Sequence, residues 1–518
     1  MNTPTNNESG IDRRTFVKTA AFAGAGLALG GTLAEAAADY GKASTGSTGA
    51  TGSTGARRRR YVIVGCGTRH GMYLDAILGK YKEHAELVGL CDINRGRVEN
   101  DLVVAKKAGV NVKGYYPPDG TNPPAPVFDR IIPEFETMVR ETKPDAVIVT
   151  TTDAAHDHYM VRGMELGCDV ITEKPMTIDA TKCQRILDTQ KHTGKKVRVT
   201  FNYRYSPPRT QVKDLLMNGA IGDVLSVDFH WLLNTHHGAD YFRRWHGNKK
   251  NSGGLMIHKA THHFDLANWW LGAMPVEVTA VGKREFYTPE MARRLGLRSH
   301  HQRCHTCPES AKCTFFMSLA KSRSLRSRFL DNERFDGYFR DQCVFNPRID
   351  IEDTMNVIVK YDTGATMSYS LNAFNAWEGY HIAFNGTKGR LEHSIVEQIY
   401  TSGVGGDAAQ GAIKDGGVTT RVIPLRGAAV VHEPWKGTGG HGGGDTVMLN
   451  DIFLPEPPAD KYKRNSDERG GAASMLVGAA ANVCFETGKP VRIADMVSGL
   501  RRPDFTAMPG RGDPVPMP

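Results

Sequence analysis

The sequence predicts an α/β protein in two parts, an N-terminal doubly wound parallel sheet followed by an α+β domain with a mainly antiparallel open sheet. Three observations lead there. Short β-rich runs at Tyr61–Val64, Leu87–Cys91, Ala146–Thr150 and Asp169–Thr172 alternate with polar, helix-competent stretches, as strand–helix–strand units do. The first run breaks into glycine, Val64-Gly65-Cys66-Gly67-Thr68-Arg69-His70-Gly71, as a strand does when it turns into a helix whose N-terminus can hold an anion. Farther along, Asp350–Leu371 and Ile382–Leu391 alternate apolar and polar residues, which marks strands with one buried face.

Taken in chain order, the first segment is an address. Asp12-Arg13-Arg14-Thr15-Phe16-Val17-Lys18 precedes an apolar Gly/Ala-rich stretch from Thr19 to Leu33 and the small-residue run Ala34-Glu35-Ala36-Ala37-Ala38-Asp39. That layout is a twin-arginine signal peptide over residues 1–38. The apolar stretch falls short of the roughly 20 residues that span a bilayer. The expectation is therefore export by the twin-arginine translocase to the periplasm or beyond, with no stable membrane insertion. Because that route carries folded proteins, a dinucleotide would be loaded before export and held tightly. Residues 39–56, with Ser-Thr-Gly repeats, read as a flexible linker. The run Arg57 to Arg60 alone supplies four of the nine excess positive charges. With no aromatic or basic stripe beside it, nucleic-acid binding is not expected. The rest divides into a dinucleotide-binding domain at 57–195, a substrate domain at 196–500 with an insertion at 285–346, and a C-terminal tail at 501–518.

In the first domain, Gly65, Gly67, Thr68, Arg69 and His70 form the candidate pyrophosphate turn, with His70 at the position where a third glycine is usual. Asp92 follows the second strand, where a carboxylate accepts both adenosine-ribose hydroxyls and repels a 2′-phosphate. Asp92 thus favours NAD, and Arg95 keeps NADP as the alternative. The fourth run ends in Glu173-Lys174-Pro175. Together, the glycine turn and this tripeptide resemble the Gfo/Idh/MocA family, the glucose-fructose oxidoreductase and inositol dehydrogenase relatives, over Tyr61 to roughly Leu271.

The resemblance implies a Rossmann domain and NAD(P)-dependent oxidoreduction at a CH–OH group of a sugar, polyol or glycoside, with Lys174 beside the nicotinamide. It also implies cofactor contacts for Thr151, His156 and Glu173, and a substrate-side place for Arg204, in the segment entering the second domain, and for Lys259. Ser252-Gly253-Gly254 precedes a helix-like run in which His258, His262 and Asp265 fall at i, i+4 and i+7, on one helix face, with His263 pointing elsewhere. This is similar to the family's Asp-x-x-x-His catalytic helix, with His262 at the histidine and His258 where an aspartate is common.

Alcohol oxidation needs a base for the hydroxyl proton and a cation for the developing oxygen charge. His262 is the candidate base, Lys174 the candidate cation, and His258 or Lys259 would tune their pKa values. The glycine-rich turn at Gly439–Asp445 offers His441 and Asp445 to a polyhydroxylated ligand. The antiparallel sheet would floor the substrate site and provide a face for a homo-oligomer. Two alternatives stay open: an NAD-dependent glycoside hydrolase of the same family with no net redox change, and a non-catalytic carbohydrate sensor.

Of the nine cysteines, Cys66, Cys91, Cys168, Cys183 and Cys484 sit singly in apolar or helical contexts and behave as small buried hydrophobes. Cys304, Cys307, Cys313 and Cys343 cluster in the insertion, beside His300, His301 and His305. Structural zinc, two disulfides, an iron–sulfur cluster and unligated thiols are the alternatives, zinc first. Each of the first three would pin an insertion that shows no signals for a core of its own.

Overall fold

The computed structural model describes residues 57–121, 125–298, 301–399, 417–510, 512 and 514–515. The signal-peptide and linker segments and His300 lie outside them. Six strands form the first sheet: β1 (Arg59–Val64), β2 (Ala85–Cys91), β3 (Lys113–Tyr115), β4 (Ala146–Val149), β5 (Asp169–Thr172) and β6 (Val197–Val199). All pair in parallel, in the order β3-β2-β1-β4-β5-β6. Val62, Ile63 and Val64 are buried without alternation, because helices cover both faces of a parallel sheet. β3 and β6 are only three residues each, too short for a periodic signal. β6 also extends the first sheet past the expected boundary at 195.

The pairs Val64↔Cys91, Val64↔Val149 and Val149↔Thr172 bring the strands' carboxyl ends level. The order reverses at β1 and β4, so the crevice opens beyond those ends, where ligands bind in such sheets.

The second sheet has nine strands: β7 (Val224–Asn234), β8 (Pro275–Lys283), β9 (Thr354–Tyr361), β10 (Thr366–Asn375), β11 (Trp377–Gly386), β12 (Gly389–Ile399), β13 (Val418–Pro424), β14 (Val430–His432) and β15 (Val491–Arg492). Their order is β14-β13-β12-β11-β7-β10-β9-β8-β15, antiparallel except between β7 and β10. β9 shows the cause: Met355, Val357, Val359 and Tyr361 are buried while Asn356, Ile358 and Lys360 are exposed, so one face packs and the other is open. The helices Thr261–Leu271 and Glu468–Thr487 pack against each other, and the latter also against β8. Residues of both sheets belong to one hydrophobic cluster, from Val62 and Val147 through Trp231, Trp269 and Met475.

Within the insertion, Leu319, Phe329 and Tyr338 are buried and joined by Phe128 and Trp245 from outside it. The expected absence of a core is thus corrected to a small core, completed by neighbouring elements. No helix among the described residues is long and apolar enough to cross a membrane.

Candidate active site

β1 ends in a turn that only glycine can make. Gly65 has φ +92°, and a Cβ there would stand 2.6 Å from the Thr150 backbone, so the chain needs both the left-handed conformation and the missing side chain. Thr150 braces the turn, its N–H donating to Val64 O at 2.9 Å and its hydroxyl to Gly65 O at 2.6 Å. Gly67 faces open space, leaving backbone accessible ahead of the helix Gly71–Leu78. The Asp92 carboxylate accepts the N–H of Cys66 at 2.5 Å and of Asn94 at 2.7 Å.

These groups line one end of a cavity of about 1240 Å³ that also takes in Thr68, Arg69, Thr151, His156, Glu173, Lys174, His258, Lys259, His262, His441 and Asp445. An exposed glycine turn, an adjacent carboxylate and a cavity of that size fit a dinucleotide.

Two expected cofactor residues lie elsewhere. His70 is fully buried behind the turn, with Nδ1 2.5 Å from Gly67 O and Nε2 2.8 Å from Asp101. It shapes the turn and is absent from the cavity wall. Arg95 points to the surface, donating to Glu99 at 2.6 Å and Asp119 at 3.0 Å. The reason is helix phase: Asn94 caps the helix Arg95–Lys107, which turns Arg97 inward. Arg97 lines the cavity, 3.7 Å from Asp92 and 2.8 Å from Asp336.

At the cavity's other end Lys174 follows β5. Its Nζ donates to His258 O at 2.9 Å, and burial pulls its pKa down to about 8 against the opposing pull of Asp153 and Glu173. Burial likewise pushes the Asp153 carboxyl well above the usual range. Asp153 Oδ2 lies 2.5 Å from His258 Nδ1. Burial, reinforced by Lys174, holds both His258 and His262 well below the ordinary histidine range, so both are neutral near pH 7. The His262 ring stacks on Tyr203 at 4.2 Å, and its Nδ1 has no hydrogen-bond partner among the described residues.

Lys259 Nζ donates to the Tyr203 hydroxyl at 3.3 Å and lies 3.9 Å from Glu378. Glu378 in turn lies 2.7 Å from His237 Nδ1, and His237 Nε2 2.8 Å from the Tyr241 hydroxyl. On the third side, His441 Nδ1 is 2.8 Å from Asp445, which also accepts from Asn202 at 2.8 Å. Arg69 joins the two ends, donating to Glu173 at 2.7 Å and lying 3.7 Å from Asp445. His156 serves the backbone, with Nδ1 2.8 Å from Pro175 O and Nε2 3.3 Å from Thr151 O.

The expectation of one continuous helix face fails. The run divides into the short helix Leu255–His258 and the helix Thr261–Leu271, separating His258 from the phase of His262. Asp265 belongs to a buried pair: Arg204 donates to it at 2.7 and 2.5 Å. Arg204 is therefore a structural cation outside the cavity, which corrects its assignment to the substrate. His263 does point away, to the Tyr369 hydroxyl at 2.7 Å.

The sequence reading missed Asp153, Arg97, Tyr241, His237, His246 and Glu378, all but Glu378 on the cavity wall. Asp153 sits three residues before His156 in a strand-end loop and was the most accessible to sequence reasoning. The others become neighbours only through folding. All nine cysteines are free thiols in this structure.

Residues 59–201 match the family model described as "Oxidoreductase family, NAD-binding Rossmann fold", and residues 213–493 the one described as "Oxidoreductase family, C-terminal alpha/beta domain". The protein YteT of Bacillus subtilis (strain 168) is 35% identical over 445 residues, 84% of this chain and 98% of its own. Inositol 2-dehydrogenase of Rhizobium meliloti (strain 1021) is 32% identical over 136 residues, 26% of this chain and 39% of its own.

Two solved structures share the fold. Aldose-aldose oxidoreductase from Caulobacter crescentus, complexed with glycerol, has a TM-score of 0.52 and 17% identity, covering 84% of this chain and 100% of that one. WlbA dehydrogenase from Bordetella pertussis, in complex with NADH and UDP-GlcNAcA, has a TM-score of 0.53 and 16% identity, covering 84% and 99%. By its NAD-binding Rossmann domain, its second domain and its full-length relative, the chain belongs to the Gfo/Idh/MocA family of oxidoreductases.

Proposed function

We propose that the protein oxidises a secondary alcohol of a sugar, polyol or glycoside, or reduces the corresponding carbonyl, with NAD held in the cavity. The observation that carries this reading is that Lys174 and the neutral His262 open on the same cavity as the glycine turn. Gly65, Gly67, Thr68, Arg69 and Asp92 would hold the dinucleotide, with Thr151, Glu173 and Lys174 along its path. NAD, when bound, supplies the hydride acceptor. His262, which is neutral and lines the cavity, takes the hydroxyl proton on its imidazole, since a neutral imidazole is a base. The Lys174 ammonium stabilises the negative charge that develops on the substrate oxygen. His258 and Asp153 share a proton beside Lys174 and set its orientation, while Lys259, His441 and Asp445 supply donors and acceptors for further hydroxyls. Arg97 is neutralised by Asp92 and Asp336, which supports NAD over NADP.

Turnover of a panel of sugars and polyols with NAD, followed by nicotinamide absorbance, tests the reading. Release of an aglycone without net NADH would instead favour redox-neutral glycoside hydrolysis. Saturable sugar binding with neither reaction would favour a sensor. Export by the twin-arginine route is part of the proposal, supported by Arg13 and Arg14 ahead of the apolar stretch. Arg13→Lys with Arg14→Lys should leave the protein in the cytoplasmic fraction. A homo-oligomer across the open sheet face, where Val281 and Ile358 are 66% and 53% exposed, is also proposed, with light scattering as its test.

A further inference from the structure

The insertion at 285–346 approaches the cofactor turn closely. Arg328 donates to Cys66 O at 2.9 Å and pairs with Asp101 at 3.2 Å; Asn332 O accepts from Asn94 at 3.0 Å; Asp336 pairs with Arg97 at 2.8 Å. The insertion's buried apolar residues form the small cluster around Leu319, Phe329 and Tyr338 and, at its base, join the main core through Tyr287, Ala292, Leu297, Val344 and Phe345.

The four clustered cysteines come from three separate stretches at that base. Cys304 and Cys307 close a turn, with Cys307 N–H donating to Cys304 O at 3.1 Å. Cys313 ends a second turn, its N–H donating to Glu309 O at 3.1 Å. Cys343 arrives through the bridge between Arg303 and Gln342, its N–H donating to Gln302 O at 3.1 Å. Every one of the six pairings among the four thiols is close enough for mutual electrostatic effect.

Three of the sulfurs accept a backbone N–H from two residues on: Cys307 from Glu309, Cys313 from Phe315 and Cys343 from Phe345. Such bonds are the outer contacts that orient metal-bound cysteine. Arg243 Nη1, 3.7 Å from Cys304 Sγ, offers a positive charge to offset the negative charge of a four-thiolate site.

We propose that Cys304, Cys307, Cys313 and Cys343 bind one zinc ion, which staples the base of the insertion and so keeps its far end against the cofactor turn. A closed tetrahedral site needs sulfurs about 3.8 Å apart, given a Zn–S distance of about 2.3 Å. No three of these four sulfurs lie within 4.8 Å of one another, so binding draws the three stretches together as it displaces the thiol protons.

The test is elemental analysis of the full-length protein, purified under reducing conditions, together with thiol titration before and after chelation. One zinc per chain is expected, with four thiols becoming reactive as the ion is released, and with tetrahedral tetrathiolate bands on cobalt(II) substitution. Cys307→Ser with Cys313→Ser should lose the ion. If that variant does not fold, the wild-type titration decides alone. Iron with acid-labile sulfide, a disulfide found by mass spectrometry, or four thiols that titrate freely in metal-free native protein would each overturn the proposal. None of these readouts depends on turnover, so failure here is distinguishable from failure of the proposed oxidoreductase reaction.

Discussion

The two ends of the cavity are built on opposite principles. At the glycine turn, charged groups are spent on structure: Asp92 on backbone N–H groups, Arg97 between two carboxylates, and His70 and Asp101 on each other behind the wall. At the Lys174 end, the groups are short of partners or displaced from their usual charge. His262 Nδ1 is unpaired, Lys174 has fallen to about 8, and Asp153 is held well above the carboxylate range. A satisfied, rigid end suits binding, whereas perturbed groups gathered in one cavity suit proton transfer.

The comparison breaks most visibly if the Lys174 end proves to be merely structural. Lys174→Met should lower the rate of substrate oxidation about a thousandfold, since one charge donor at a developing oxyanion contributes on that scale. Fluorescence titration should show dinucleotide affinity within about twofold of wild type, well under 1 kcal/mol. Equal losses in both would merge the two ends into one. Arg204→Met leaves Asp265 buried and unpaired and should cost about 3–5 kcal/mol of stability. It would be read as a fall in melting temperature, with KM unchanged in the folded fraction. A selective rise in KM would return Arg204 to the substrate.

At the turn, Gly65→Ala forces a side chain into the Thr150 backbone and should cost about 2 kcal/mol, seen as weaker dinucleotide binding. The smallest effect belongs to Arg95→Ala, within about 0.5 kcal/mol in stability and with an unchanged preference between NAD and NADP. The matching change at Arg97 should alter that preference.

What could be read in the sequence follows the same division. The glycine turn, Asp92 and Lys174 each sit at the end of an apolar run, so strand direction alone carries them to the crevice. Helix phase was harder: Arg95 and Arg97 are two residues apart, and only the cap at Asn94 decides which faces inward. His70 matched a motif position yet turned behind the wall, because Asp101 in the next helix was there to meet it. Arg204 was claimed for the substrate because nothing local reveals Asp265, 61 positions away, as its partner. The break between His258 and Thr261 carries no glycine or proline to announce it. Glu378, His237 and Tyr241 become neighbours only once the sheets pack, and no periodicity encodes that.

The most direct test of the division between a binding end and a reacting end is the pH dependence of kcat/KM for alcohol oxidation, in the wild type and in Lys174→Met. Burial keeps His262 neutral well below pH 6.5, so its protonation belongs to an acid limb below the neutral range. Lys174 is a cation below about 8 and loses its charge as pH rises through that value, so the stabilised oxyanion is lost on the alkaline side. The expected wild-type profile is flat through neutrality and falls above about pH 8, and Lys174→Met should lack the alkaline fall. A wild-type rate still climbing beyond pH 9, or an alkaline limb that survives in Lys174→Met, would contradict the role given to this lysine.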